Sequence, residues 1–251
     1  MHFSLIQPLP MHEREAAYER TRGAYEDHRW LWERFFPAPR GTPRDFLFRR
    51  LDAGAAARFH VVSARPPRVD VAGWQVNTKS YDPRLAAGER LQFELRANPV
   101  ISRPGDTLLN ADGSPAHRTT GKRVGAARHK VVRHDVVMDA KKHLLAERGL
   151  SQWQDWQGPD KPLLYQLAQQ ACGRWLAEQG LRRGFEVDEA ALHVDGYTQH
   201  RGKNDKLRFS SVDFAGELTV VDPAKFRMSL TQGIGHAKAF GCGLLLVRRR
   251  G

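Results

Sequence analysis

Cysteine is scarce in this chain: Cys172 and Cys242 are the only two in 251 residues. They have no metal-ligand spacing and cannot form a disulfide framework, which excludes a zinc-ribbon or disulfide-stapled scaffold and suits a reducing compartment. Long apolar runs are lacking too. The best, Leu244 to Val247, falls far short of the roughly 20 residues of a membrane span, so no membrane partner is expected. The opening MHFSLIQPLP has neither the basic n-region nor the apolar h-region of a secretory signal, and the expected location is the cytoplasm. No His, Cys, Asp and Glu group stands at ligand spacing, so no metal site and no cofactor are expected.

Acidic residues are also few: 28, against 40 Lys plus Arg, for a formal charge of +12. Such an excess repels itself in the folded chain, and a polyanion, most commonly nucleic acid, is the natural partner. Hydrophobic residues make up 41%. That is enough for one large domain or two of about a hundred residues each.

The chain opens with a buried strand, His2 to Gln7, closed by Pro8 and Pro10. Met11 to Phe36 is helical in character, with Gly23 as the break that leaves a helix from about Ala24 to Phe35. Alternating runs at Asp45 to Leu51 and Arg58 to Ala64 predict neighbouring strands, and Gly73 to Lys79 a weaker one. This is most of a ferredoxin-like βαββαβ unit. After a linker around Tyr81 to Glu89, Leu91 to Ile101 predicts a strong strand. The next thirty residues are polar, basic and glycine-rich, and are expected to form a long loop. Leu163 to Leu181 predicts a helix, Leu192 to Gln199 and Leu207 to Val221 two strands, Ala224 to Gln232 a helix beginning at Pro223, and Gly243 to Arg248 a last strand. The expected fold is therefore α+β, tandem ferredoxin-like (RRM-like) βαββαβ domains, over residues 1–88 and 89–251.

Three features carry chemistry. Gly233, Gly235, Gly241 and Gly243 stand at G-x-G-x5-G-x-G spacing between a helix and the last strand, with Lys238 among them. Glycines permit positive φ and close backbone approach, so N–H groups there could face phosphate. Each glycine singly also fits a helix cap or tight turn. The order helix–loop–strand is the reverse of the dinucleotide fingerprint. Tyr25 and His28 share a helix face, and imidazole passes protons near neutral pH. Yet Leu31 and Phe35 lie on the same stripe, so a hydrogen-bonded core histidine is the default. Finally, basic residues cluster at His117 to Arg133, including Lys122, Arg123, Arg128 and Lys130, and again at Lys203, Lys206 and Arg208. Solvated loops are the plain alternative there. An RRM-type module would need an aromatic RNP strand, and Leu91 to Ala97 lacks one.

The glycine loop, with Phe93-Glu94-Leu95-Arg96-Ala97-Asn98-Pro99-Val100, Tyr25-Glu26-Asp27-His28-Arg29 and Arg44-Asp45-Phe46-Leu47-Phe48-Arg49, resembles in order the CasE-type endoribonucleases of type I-E CRISPR systems. The resemblance implies a metal-independent nuclease that binds the CRISPR repeat stem-loop. It implies cleavage of precursor CRISPR RNA by 2′-OH attack, leaving a 2′,3′-cyclic phosphate and a 5′-hydroxyl. The enzyme would then stay bound as a Cascade subunit among other Cascade subunits. It implies His28 and Tyr25 as catalytic residues, and a basic hairpin, matched here to Lys203 to Phe209, entering the widened groove of the stem. Arg29, Lys122, Arg123, Arg128, Lys130, Lys203, Lys206, Arg208, Lys238 and the four glycines are the expected RNA contacts. The alternative is a non-catalytic RNA-binding scaffold subunit of a CRISPR ribonucleoprotein.

Overall fold

A computed structural model describes residues 1–19, 24–53, 56–111, 114–120, 123–127, 129–201 and 208–249. It divides into two units, one of residues 1–99 with 162–251 and the other of residues 100–161.

The larger unit holds two sheets. The first is built from β1 (His2–Pro8), β2 (Phe46–Ala53), β3 (Ala56–Ser63) and β4 (Trp74–Ser80) in the order β2-β3-β1-β4, each pair antiparallel. Between β1 and β2 run α1 (Glu13–Glu19) and α2 (Ala24–Arg34). The strand order is ferredoxin-like, but residues 64–73 join β3 to β4 without a helix. The alternation of β2 and β3 decides their faces. Phe46, Phe48, Phe59 and Val61 turn toward α2 and pack with Trp30, Leu31, Phe35 and Trp74. Leu47 and Val62, on the other face, pack with Leu244 from near the C-terminus.

The second sheet takes β5 (Arg90–Ala97), then, after residue 161, β10 (Phe185–Val187), β11 (His193–Arg201), β12 (Arg208–Val220) and β13 (Leu245–Arg249). Its order is β10-β12-β5-β13, with β11 also on β12. Helices α4 (Leu164–Arg183) and α5 (Pro223–Gln232) complete a full βαββαβ unit. α5 starts where chemistry demands: Asp222 caps the amides of Ala224 and Lys225 at 3.1 Å each, and Pro223 fills a first-turn position that has no N–H to satisfy.

The smaller unit corrects two expectations. The strand predicted through Ile101 ends at Ala97, because Pro99 has no N–H to continue the ladder with β12. The polar stretch that follows is not one long loop. β6 (Val100–Thr107) pairs with β9 (His129–Asp135), and β7 (His117–Thr120) with β8 (Arg123–Ala127). Asp135 then caps α3 (Val136–Glu147) through the amides of Val137 and Met138 at 2.9 Å. Farther on, Arg148 lies 3.9 Å over the Trp156 ring and 2.7 Å from Asp160.

Candidate active site

Acidic Glu26 and Asp27 in the first turn of α2 and Arg34 in its last suit the helix dipole. Asp27 is buried, and Arg50 of β2 meets it at 3.2 Å. One residue on, His28 lies half-buried on an aromatic floor. Its ring stacks on Phe46 with centroids 5.5 Å apart, and Trp32 and Phe48 follow at 5.8 and 6.3 Å. Its Nε2 is buried and has no hydrogen-bond partner among the described residues. Burial, and then the charge of nearby Arg44, hold its pKa below the usual histidine value. The imidazole is therefore neutral at neutral pH and has a lone pair ready to accept a proton.

The glycine loop comes to the same place. A 3₁₀ turn, Lys238–Phe240, packs against α2 and β2. A Cβ on Gly241 would stand 3.2 Å from the Phe48 ring. Lys238 Nζ donates to the Gln232 carbonyl at 2.6 Å. Burial, then Arg183, then Arg44 push the Lys238 pKa down. Close packing explains the glycines at the loop's two ends. Gly233 has φ +76°, and a Cβ there would meet the Gly243 carbonyl at 2.8 Å and a Leu47 methyl at 2.9 Å. The amides of Gly233, Ile234 and Gly243 donate to Ser229, Gly243 and Arg96 carbonyls. Those three N–H groups thus serve the fold, contrary to the idea that they face phosphate. Cys242, between two of the glycines, is fully buried, and burial pushes its thiol pKa up to about 12.

The loop also meets the hairpin. Phe240 stacks on Phe209 of β12 at 4.6 Å, and Phe209 stacks on His200 of β11 at 4.4 Å.

Of the predicted site residues, the fold brings the turn that begins at Lys238 to α2 and Gly241 to Phe48, both beside His28, whereas Gly233 lies against Leu47, Gly235 against Asn98 and Trp175, and Gly243 against Ile234. Arg29 is exposed on α2, with Glu26 at 3.0 Å and Glu33 at 3.7 Å. Arg208 is exposed at the start of β12, opposite Arg201. Lys130 is exposed on β9 in the smaller unit. Lys122, Arg128, Lys203 and Lys206 lie outside the described residues, as do the side chains of Tyr25 and Arg123. Arg44, two positions before the aromatic that floors His28, was not among the predicted site residues; its closeness to His28 comes from the fold. Among the described residues, no group of three or more His, Cys, Asp or Glu could hold a metal ion.

The family model described as CRISPR associated protein matches residues 1–249. The chain belongs to that family. It is 26% identical over 229 residues to the Cascade subunit CasE of Escherichia coli, covering 90% of this chain and 92% of CasE. It is 32% identical over 169 residues to the CRISPR-associated endoribonuclease Cse3 of Thermus thermophilus, covering 67% of this chain and 60% of that relative. A solved structure of Thermus thermophilus Cse3, bound to an RNA representing a pre-cleavage complex, superposes with a TM-score of 0.60 at 24% identity, covering 98% of each chain. The CasE-type resemblance seen in the sequence, and the tandem ferredoxin-like fold expected from it, are borne out. Among the described residues, no helix of this family member is long and apolar enough to cross a membrane.

Proposed function

We propose that this chain is a metal-independent endoribonuclease that binds the CRISPR repeat stem-loop, cleaves precursor CRISPR RNA and stays on the product as a Cascade subunit in the cytoplasm. The observation that carries this is His28: a neutral imidazole with a buried nitrogen that no described residue partners, beside the cation of Arg44, in a chain matched to a CRISPR-associated family over residues 1–249. Residues 1–88 would be the domain with the catalytic helix. Residues 89–251 would carry the basic loops and the glycine loop.

The chemistry needs only what RNA and protein bring. The ribose 2′-OH gives up its proton to a base, and its oxygen bonds to the adjacent phosphorus. The P–O5′ bond breaks, and O5′ takes a proton. A cyclic phosphate and a 5′-hydroxyl result. His28 is suited to accept the first proton because it rests neutral. Tyr25, one helical turn earlier on the same helix, is the second catalytic group. Arg208 with Lys203 and Lys206 would grip the A-form stem, whose narrow major groove favours recognition by shape and backbone.

The test is cleavage of labelled repeat RNA in excess EDTA. Products with a 2′,3′-cyclic end, and no cleavage when the attacking nucleotide is 2′-deoxy, are expected. Cleavage that stops in EDTA and returns with Mg²⁺ would overturn the mechanism. For binding, Ala at Lys203, Lys206 and Arg208 together should make the slope of log K against log salt shallower by roughly 2–3 units. An unchanged slope would return the segment to an ordinary solvated loop.

A further inference from the structure

In the larger unit, arginines drawn into the protein are met by carboxylates. Arg49 has Glu94 at 3.4 Å and Asp213 at 3.6 Å, Arg50 has Asp27 at 3.2 Å and Asp52 at 2.7 Å, Arg65 has Asp45 at 2.6 Å, and Arg96 has Asp213 at 2.7 Å. Beside His28 the rule fails. Arg44 is half-buried, and none of the described residues bonds to it; its sequence neighbour Asp45 is turned to Arg65. Lys238 is half-buried with one backbone carbonyl for its ammonium. Arg183, at the end of α4, has the Gln179 side chain at 3.2 Å and the Gly233 carbonyl at 3.4 Å. Burial disfavours the charge of Arg44, Lys238 and Arg183, and for Lys238 and Arg183 the neighbouring cations add to the penalty, with no described carboxylate relieving any of them.

Holding like charges together out of water is costly unless an anion joins them. Arg44, two residues before Phe46 on which His28 stacks, is near enough for its charge to act on both His28 and Lys238, and the turn Lys238–Phe240 packs against α2, the helix that carries His28. We propose that Arg44 and Lys238 are further catalytic residues, a cation pair that takes the non-bridging oxygens of the scissile phosphate. This rests on reading His28 as the proton-transfer residue. The diester carries one negative charge, and the pentavalent transition state gathers more. Fixed cations therefore favour the transition state over the bound substrate. Arg44 presents a planar fork suited to two oxygens, and Lys238 a point charge, anchored at the turn that packs against α2.

The test uses the full chain and the repeat RNA transcribed from the CRISPR array of its own genome. Single-turnover rates are measured for Arg44→Ala, Arg44→Lys, Lys238→Ala and Lys238→Met. Affinity is measured on the same RNA with 2′-deoxyribose at the attacking nucleotide, and thermal unfolding on the same preparations. Arg44→Ala should slow cleavage by about 10²–10³-fold, and Lys238→Met by roughly tenfold or more, each with affinity changed only a few-fold. Arg44→Lys, which keeps the charge but not the fork, should fall between wild type and Arg44→Ala. A phosphorothioate at the scissile phosphate adds a readout that mere folding does not move: the wild type should prefer one sulfur diastereomer, and Arg44→Ala should lose that preference. Folded variants that cut at the wild-type rate, or an unchanged diastereomer preference in Arg44→Ala, would overturn the pair. If that happens while His28→Ala is still inactive, only the pair falls; if His28→Ala cuts normally, the reading of the site falls with it.

Discussion

His28 and His60 look alike in isolation. Both are half-buried, both touch phenylalanine rings, both have a buried ring nitrogen without a partner among the described residues, and both have a pKa lowered first by burial and then by a neighbouring arginine. They differ in what balances the arginine. His60 is paired across the β2–β3 ladder with Arg49, and Arg49 has Glu94 and Asp213. Glu94 pulls the His60 pKa back up. His60 lines a cavity of about 620 Å³ with Phe3, Tyr81, Phe93 and Glu94. Beside His28, Arg44 has no such carboxylate among the described residues. Burial and a depressed pKa therefore do not tell the two histidines apart; the missing counter-charge does.

The comparison breaks most directly by removing each ring. His28→Ala should slow single-turnover cleavage by about 10²–10⁴-fold, the usual loss for an acid–base group, with affinity and melting temperature near wild type. His60→Ala should leave the rate within a few-fold. Equal losses would show that the two sites do not differ in kind.

A smaller effect concerns the loop that carries Lys238. Gly233→Ala puts a Cβ against a carbonyl and a leucine methyl at a positive φ, and should cost about 1–3 kcal/mol in urea unfolding. An unchanged midpoint would mean that the loop gives way easily and holds nothing in place near His28.

Smaller still is the pH dependence of stability. Both histidines have folded pKa values below the unfolded value, so the unfolded chain binds more protons between them. Stability should then rise with pH through the window just below about 6.5 and level off above it. His28→Ala or His60→Ala should each flatten that rise in unfolding curves taken from pH 5 to 7.5; a slope unaffected by either substitution would contradict the burial of both rings.

The least effect is the sharpest contrast. Glu94→Gln removes the charge that supports His60, so its pKa, followed by NMR, should drop further while that of His28 stays put. Movement of both, or of neither, would remove the distinction drawn from Glu94.

Much of the larger unit was legible because its residues alternate or cap in simple ways. Phe46 and Phe48 against Leu47 give β2 two apolar faces, and Asp222-Pro223 opens α5. β4 is faint because, beyond Trp74, its side chains are largely exposed. The β6–β9 ladder was not legible: Val131 is exposed on it, and Pro104 and Gly105 read as breakers. His28 and Tyr25 were singled out through family resemblance, since spacing alone favoured a core histidine. Arg44 escaped because its significance depends on Lys238, which arrives from the far end of the chain. Only the folded backbone shows that no described carboxylate comes with it.

Cys242 gives the glycine loop a built-in clock. The thiol lies between two glycines, sealed from water and held in its unreactive protonated form. Alkylation at neutral pH can proceed only when the loop opens and exposes it. The rate of modification therefore counts those openings, and RNA bound at the loop as proposed should slow the count without touching the cysteine itself.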